Sequence, residues 1–334
     1  LIVHNMTHLM PPEWAPQDRL WIGFPGNPAE WPDDLPQAQV QAGAFASAVA
    51  EHGQAVTLLA RTAEDLVLAC SLASPKVEVR HEPFGDIWVR DTGPIGVIGA
   101  SGARALIDFD FNGWGGKFQM QGDEDIGARL AAPTGLPVFD CPLIFEGGAI
   151  DTDGTGLFVT TEQCLLNPNR NPQLDRRQIE TLLSGTLGLS SMLWLGDGLI
   201  NDHTDGHVDN LARFVAKGML AVPEATLDDD PNAAIFADAA ERARAFGVEV
   251  VSVPSVGRYE LDGAIAPASY MNFCITNGAV IVPQYGAPND AAAIEALAPF
   301  FPGRTVIGLP STAILRGGGG FHCMSQQLPS CPAT

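Results

Sequence analysis

One grammar recurs six times along this chain: an amphipathic Ala- and Leu-rich helix, a short joint holding Gly or Pro, then a β-branched strand. The pattern predicts helices over 37–52, 62–73, 123–132, 174–187, 232–246 and 291–301. Each leads into a strand, over 55–59, 76–79, 136–139, 192–195, 248–251 and 305–307. Five of these strands then run, within about 6 to 20 residues, into loops rich in acids, glycine or histidine. Units that each end in such a loop suggest radial repetition around a centre, with the loops gathered there. An ordinary doubly wound sheet is the alternative. No glycine-rich fingerprint joins a first strand to a first helix, which argues against a dinucleotide-binding version. No linker-like stretch divides the units, so one domain over residues 1–334 is expected, with 1–10 as a loosely ordered extension.

Composition narrows the function. With 18 basic and 39 acidic side chains the net charge is −21. That disfavours nucleic acid, whose phosphates need a basic surface, and favours a small cation. No run of about 18 apolar residues is present to span a membrane. The start of the chain lacks the basic and apolar regions of a signal peptide, so a cytoplasmic location is expected. The Asn5-Met6-Thr7 sequon is then uninformative. Six scattered cysteines without a Cys-x-x-Cys pair suit reduced thiols better than disulfides or zinc fingers.

The most suggestive local stretch is Gly317-Gly318-Gly319-Gly320-Phe321-His322-Cys323. Four glycines let main chain pass close to a ligand and aim the cysteine that follows. The segment 201–210 packs Asp202, Asp205, Asp209, His203 and His207 together. Such a set suits either a metal or an acid/base pair; if 208–212 is extended, His207 and Asp209 share a face. Asp86-Ile87-Trp88-Val89-Arg90-Asp91 reads as a strand with Asp86, Trp88 and Arg90 on one side. A Trp beside carboxylates fits a planar cation. Phe111 to Lys117 places Trp114 in a lid or a packed turn, and Glu146 is framed by Phe145 and two glycines. The run from Asp151 to Glu162 matches a calcium loop in spacing, but its flanks read as strands, which predicts a hairpin instead.

Taken in order, eight motifs resemble agmatine deiminases, in the Porphyromonas-type peptidylarginine deiminase group of guanidino-modifying enzymes. They are Pro11-Pro12-Glu13-Trp14, 88–94, 111–116, 146–148, 161–166 with Arg170-Asn171-Pro172, 206–209, 267–273 and 318–323. The resemblance implies an α/β fold, a five-bladed pseudo-symmetric α/β propeller (pentein) of ββαβ-like repeats. It implies hydrolysis of agmatine to N-carbamoylputrescine and ammonia, no cofactor and no metal, and often a homodimer or larger assembly. By the matching positions Cys323 is the nucleophile, His207 the acid/base, Asp91 and Asp209 the guanidinium clamps, and Glu146 a further catalytic carboxylate. Trp88, Trp114 and Gly320 join the two clamps as expected substrate contacts. Three positions depart from the family pattern: Gln17 in place of His, Gly320 in place of Asn, and His203 in place of an acid. The alternatives are an enzyme for another guanidine, a metallohydrolase built on Asp202, His203, Asp205 and His207, and a non-catalytic binder of cations.

Overall fold

In the computed structural model, which describes residues 8–331, the strands form five sheets of three or four strands and one small hairpin. The five sheets share a pattern. An antiparallel pair comes first, then a helix crosses over and delivers a third strand parallel to the second. Ile150–Thr152, Leu157–Thr161 and Ser191–Leu195 show it, with Arg176–Leu187 as the crossover. So do Arg213–Ala216, Met219–Glu224 and Glu249–Pro254 around Ala233–Phe246. Cys274–Ile275, Ala279–Gln284 and Thr305–Pro310 repeat it around Asp290–Leu297. Ile95–Gly99, Arg104–Asp110 and Val138–Ile144 do so around Ile126–Ala131, with His8–Leu9 added at the edge. The remaining sheet joins both ends of the chain: Ser325–Pro329 lies antiparallel to Gln17–Gly23, followed by Leu35–Glu51 and the parallel strands Val56–Ala60 and Glu78–His81. The chain therefore does not form a single doubly wound sheet.

Local chemistry explains the helix boundaries. Thr62 accepts the Asp65 N–H at 3.1 Å to start Ala63–Leu72. Asp175 and Gln178 make a reciprocal capping box for Arg176–Leu187, and Gly188 ends that helix in the left-handed region. Between helices and sheets lie apolar clusters, one of which packs Trp21, Phe45, Leu58 and Phe321 together. No helix among the described residues is long and apolar enough to cross a membrane.

Four expectations change. Residues 8–10 are not loose: His8–Leu9 pairs with Ile98 and Gly99, and Met10 is buried; residues 1–7, with the sequon, lie outside the described residues. Residues 86–90 are not a strand, because Val89–Thr92 closes a helical turn whose Arg90 N–H is taken by the Cys323 carbonyl at 3.0 Å. Arg90 therefore turns away from Asp86 and Trp88, and its Nη1 donates to Gln326 Oε1 at 2.9 Å. Val208–Asn210 is a 3₁₀ turn rather than extended. The sequence also reads as a hairpin in which 270–275 turns at Asn277-Gly278 into 279–282, but 270–272 form a turn, so its first strand starts only at Cys274. The run that matches a calcium loop in spacing is the expected hairpin, with Asp151 occupied by Arg213 Nε at 3.0 Å.

Candidate active site

Each of the five sheets begins just after a short turn, and these turns carry the candidate residues. They are Val89–Thr92 before Ile95, Gly147–Ala149 before Ile150, Val208–Asn210 before Arg213, Tyr270–Asn272 before Cys274, and the turn over 320–324 before Ser325. Their contacts run in a closed order. Gly148 N–H donates to Asp91 Oδ1 at 2.9 Å. A Cβ on Gly148 would come within 3.0 Å of His207 Nδ1, Asp91 Oδ1 and Asp209 Oδ2 alike, so only glycine leaves room for that convergence. Asn272 Nδ2 donates to Asn210 Oδ1 at 2.8 Å and lies 2.9 Å from Cys323 Sγ. The Cys323 carbonyl returns to Arg90.

The nucleophile candidate is buried, with Asp209 Oδ2 3.6 Å from its sulfur. Burial and the charges of Asp209 and Asp91 hold its thiol well above the ordinary range, against the Asn272 contact. Asp209 itself stays below the usual carboxylate range despite its burial, because His322 Nδ1 lies 2.7 Å away. His322 Nε2 in turn faces Glu13 Oε2 at 2.9 Å, and Glu13 pairs with buried Arg213. Asp209 Oδ1 is buried without a partner and remains free to accept.

On the other side, His207 lies between two carboxylates, with Nδ1 3.7 Å from Asp91 and Nε2 3.8 Å from Glu146. Burial disfavours its charge, but Asp91, Cys164 and Glu146 outweigh burial and hold the imidazole pKa well up. Glu146 is lowered in spite of its burial by His207 and by Arg170, whose Nε donates to Oε1 at 2.9 Å. Asp91 is raised to about 6, by burial first and then by Asp209 and Glu146, with His207 opposing. Trp114 Nε1–H donates to Asp91 Oδ2 at 2.9 Å. Trp114 holds φ of 51° in the left-handed region, which a bulky residue adopts only when its surroundings impose it. Asn112 imposes it by accepting the Gly115 N–H, so 111–117 is a packed turn and not a lid.

Asp91, Trp88, Trp114 and Cys323 line a cavity of about 330 Å³, together with Phe118, Glu30, Asp86 and His203. Gly320 is not among its lining residues. It packs against Asn272, where a Cβ would come 2.6 Å from Oδ1. The cavity adjoins a wider bowl of about 880 Å³ that shares Glu30 and His203 with it and adds Asp33, Asp34 and Asp262. The acidic 201–210 segment is dispersed. Asp202 accepts from Thr204 and Asn210, Asp205 holds Lys117 and Arg170, and His203 lies 5.9 Å from Phe118. A metallohydrolase centre on those four residues is therefore not what the chain builds. Gln17 bridges the Glu13 and Ile275 carbonyls and is structural.

The profile of the Porphyromonas-type peptidyl-arginine deiminase family matches residues 9–329. The chain belongs to that family. It is 36% identical to the agmatine deiminase of Stutzerimonas stutzeri over 97% of this chain and 96% of the relative. The agmatine deiminase of Enterococcus faecalis superposes with a TM-score of 0.91 at 31% identity, covering 98% of this chain and 97% of the other. A cysteine-to-serine variant of the C. jejuni agmatine deiminase with substrate bound gives the same TM-score at 30% identity, with the same coverage. Within the family's matched span, sequence reasoning passed over Asn272, His322, Arg170, Glu13 and Glu30. Asn272 and Glu13 lay inside resembling motifs, and His322 adjoins Cys323. Glu30 had no signal.

Because Asp91 ionises near pH 6, kcat/KM should fall as the pH drops through about 6, while the acid limb of kcat lies lower. The sign follows from the bound cation, which favours the carboxylate. A pH profile of both constants checks it; coincident limbs would assign the limb to another group. For stability the sign is opposite to a salt-bridged acid. A folded value above the ordinary 3.8 means that ionisation between about pH 4 and 6 costs stability.

Proposed function

We propose that this chain is an agmatine deiminase, releasing ammonia and N-carbamoylputrescine through a covalent intermediate on Cys323. The observation that carries this reading is the buried thiol beside two converging carboxylates, with a charge-holding imidazole behind them, at the end of an aromatic and acidic cavity. A guanidinium is a poor electrophile because its charge is spread over three nitrogens. Asp91 and Asp209 fix its plane through paired N–H bonds, and its charge cancels the two anions that keep Cys323 protonated. Binding of the cation releases the Cys323 thiol proton to solvent, and the thiolate adds to the central carbon. His207 gives its proton to the departing nitrogen, ammonia leaves, and an amidino-thioether remains. His207 then takes a proton from water, the hydroxide adds to the same carbon, and the C–S bond breaks as the adduct's hydroxyl proton passes to the sulfur, giving the ureido product and the resting thiol. Glu146 and Arg170 keep His207 oriented and charged. No step requires a metal or cofactor.

At the cavity's other end, Glu30 and Asp86 are both pushed up, Glu30 by burial and Asp86 by burial and by Glu30. A cation beside these two carboxyls favours their charged forms. The distal ammonium of agmatine supplies it, whereas the carboxylate of arginine meets like charge there, which can cost several kcal/mol. Agmatine should exceed arginine by at least about a hundredfold in kcat/KM, a ratio that takes roughly 2.7 kcal/mol. Steady-state kinetics with agmatine, arginine and a guanidine lacking the amine test it. Arginine equal to agmatine refutes the substrate, and an equal amine-free analogue leaves the chemistry without the selectivity.

The closed order of contacts among the five turns supports a five-bladed α/β propeller as one catalytic domain spanning the chain. Acidic charge supports a small cationic partner over nucleic acid. Assembly as a homodimer or larger, and a cytoplasmic location, complete the reading.

A further inference from the structure

We propose that Glu146, Cys164 and His207 form a zinc-binding pocket behind the catalytic cavity, and that zinc held there switches the enzyme off. The three residues come from separate segments, and one ligand atom of each lies within 4.8 Å of the others. All three side chains are fully buried. Glu146 Oε2 and both ring nitrogens of His207 have no hydrogen-bond partner, so the pocket holds polar atoms left unsatisfied where burial ordinarily demands a partner. Cys164 is fixed by the short helix Glu162–Leu165, whose cap Thr161 accepts the Cys164 N–H at 3.2 Å.

The donor set selects the ion. Thiolate, imidazole and carboxylate together suit zinc rather than magnesium or calcium, which prefer oxygen alone. Three protein ligands leave a fourth position for water. Tetrahedral zinc with bonds of about 2.0–2.2 Å needs nitrogen and oxygen about 3.4 Å apart. His207 Nε2 and Glu146 Oε2 start at 3.8 Å, so only a small contraction is required. Arg170 already holds Glu146 by Oε1 and leaves Oε2 for the ion, the arrangement of an outer-shell partner. The exchange conserves charge: one zinc dication enters, while one proton leaves the Cys164 thiol and one leaves the His207 ring. Asp91 connects the two spaces, since it lines the cavity and lies 3.7 Å from Nδ1 of the same ring. Zinc on Nε2 stops that ring from cycling a proton. The inhibitory half of the proposal rests on the deiminase reading, with His207 as acid/base. The binding half does not.

The test is a zinc titration against a chromophoric chelator, with the thermal unfolding midpoint as a second readout. Wild type and Cys323→Ser should each take one tight equivalent and unfold at a higher temperature with it. Cys164→Ser should weaken zinc by at least about a hundredfold, since even outer-shell losses approach that. Glu146→Gln, which keeps the thiol, should weaken it too and covers the case that Cys164→Ser does not fold. Ammonia release by wild type should fall as one equivalent loads and return with EDTA. Zinc that is lost in Cys323→Ser and kept in Cys164→Ser places the ion on the nucleophile and overturns the pocket, as does the lack of any tight equivalent. Tight zinc in an inactive wild type retains the pocket and removes the deiminase reading, and activity without tight zinc does the reverse.

Discussion

Cys323→Ser will fold like the wild type and lose turnover by more than about ten-thousandfold, because an unactivated hydroxyl is a weak nucleophile. The sulfur is replaced by a smaller atom in a pocket bounded by Asn272 and Asp209, so the packing changes little. No nearby base compensates. The carboxylates around His207 hold its pKa well up, and the contact to His322 holds that of Asp209 down, so neither favours taking the serine proton. Ammonia release measures the loss, and mass spectrometry of acid-quenched wild type should find the amidino group on the peptide carrying Cys323. Serine activity above a few per cent of wild type would sink the covalent route.

Asp209→Asn is the second large effect. It keeps the shape and one acceptor oxygen but leaves a guanidinium cation poorly compensated in a desolvated place. Breaking a buried pair in this way costs about 3–5 kcal/mol, so kcat/KM should fall by roughly 10² to 10⁴. The variant also removes the anion facing His322, and with it the link through Glu13 to Arg213. Steady-state kinetics separate the two roles. A drop confined to kcat/KM with the thermal midpoint preserved is the clamp; near-normal kinetics with a lowered midpoint would make Asp209 structural.

The helix-and-strand grammar was legible because it is local: the crossover helices and the strands they deliver follow from apolar spacing, caps and glycine stops. Cys323 stood out by its glycine loop and His207 with Asp209 by their spacing, while the roles of these residues, Asp91 and Glu146 were implied by the resemblance of the motifs that carry them. What stayed hidden depends on contacts across long sequence distances. The strand reading of residues 86–90 failed since Cys323, far along the chain, takes the Arg90 amide and stabilises a turn there. Asn272 reaches both Asn210 and Cys323, and His322 reaches both Asp209 and Glu13. None of these pairings has a periodicity to betray it. Trp114 was ambiguous between lid and packed turn until Asn112 and Asp91 were seen to hold it. Gly320 lies outside the cavity lining, and its want of a side chain serves the approach of Asn272.

The pairing of Ser325–Pro329 with Gln17–Gly23 has a consequence for the order in which activity is acquired. Gln17–Gly23 leaves the ribosome about 300 residues before its partner Ser325–Pro329, so its sheet stays open at one edge until that partner is made. Closing so long a loop costs little more than closing one of half the length, yet such distant contacts form slowly. Three of the five sheets can assemble from contiguous stretches before then, and a fourth needs only His8–Leu9 from further back. Cys323 is aimed only when these two strands meet, so the geometry around its thiol waits on the most distant strand pairing among the described residues and is lost when either strand frays.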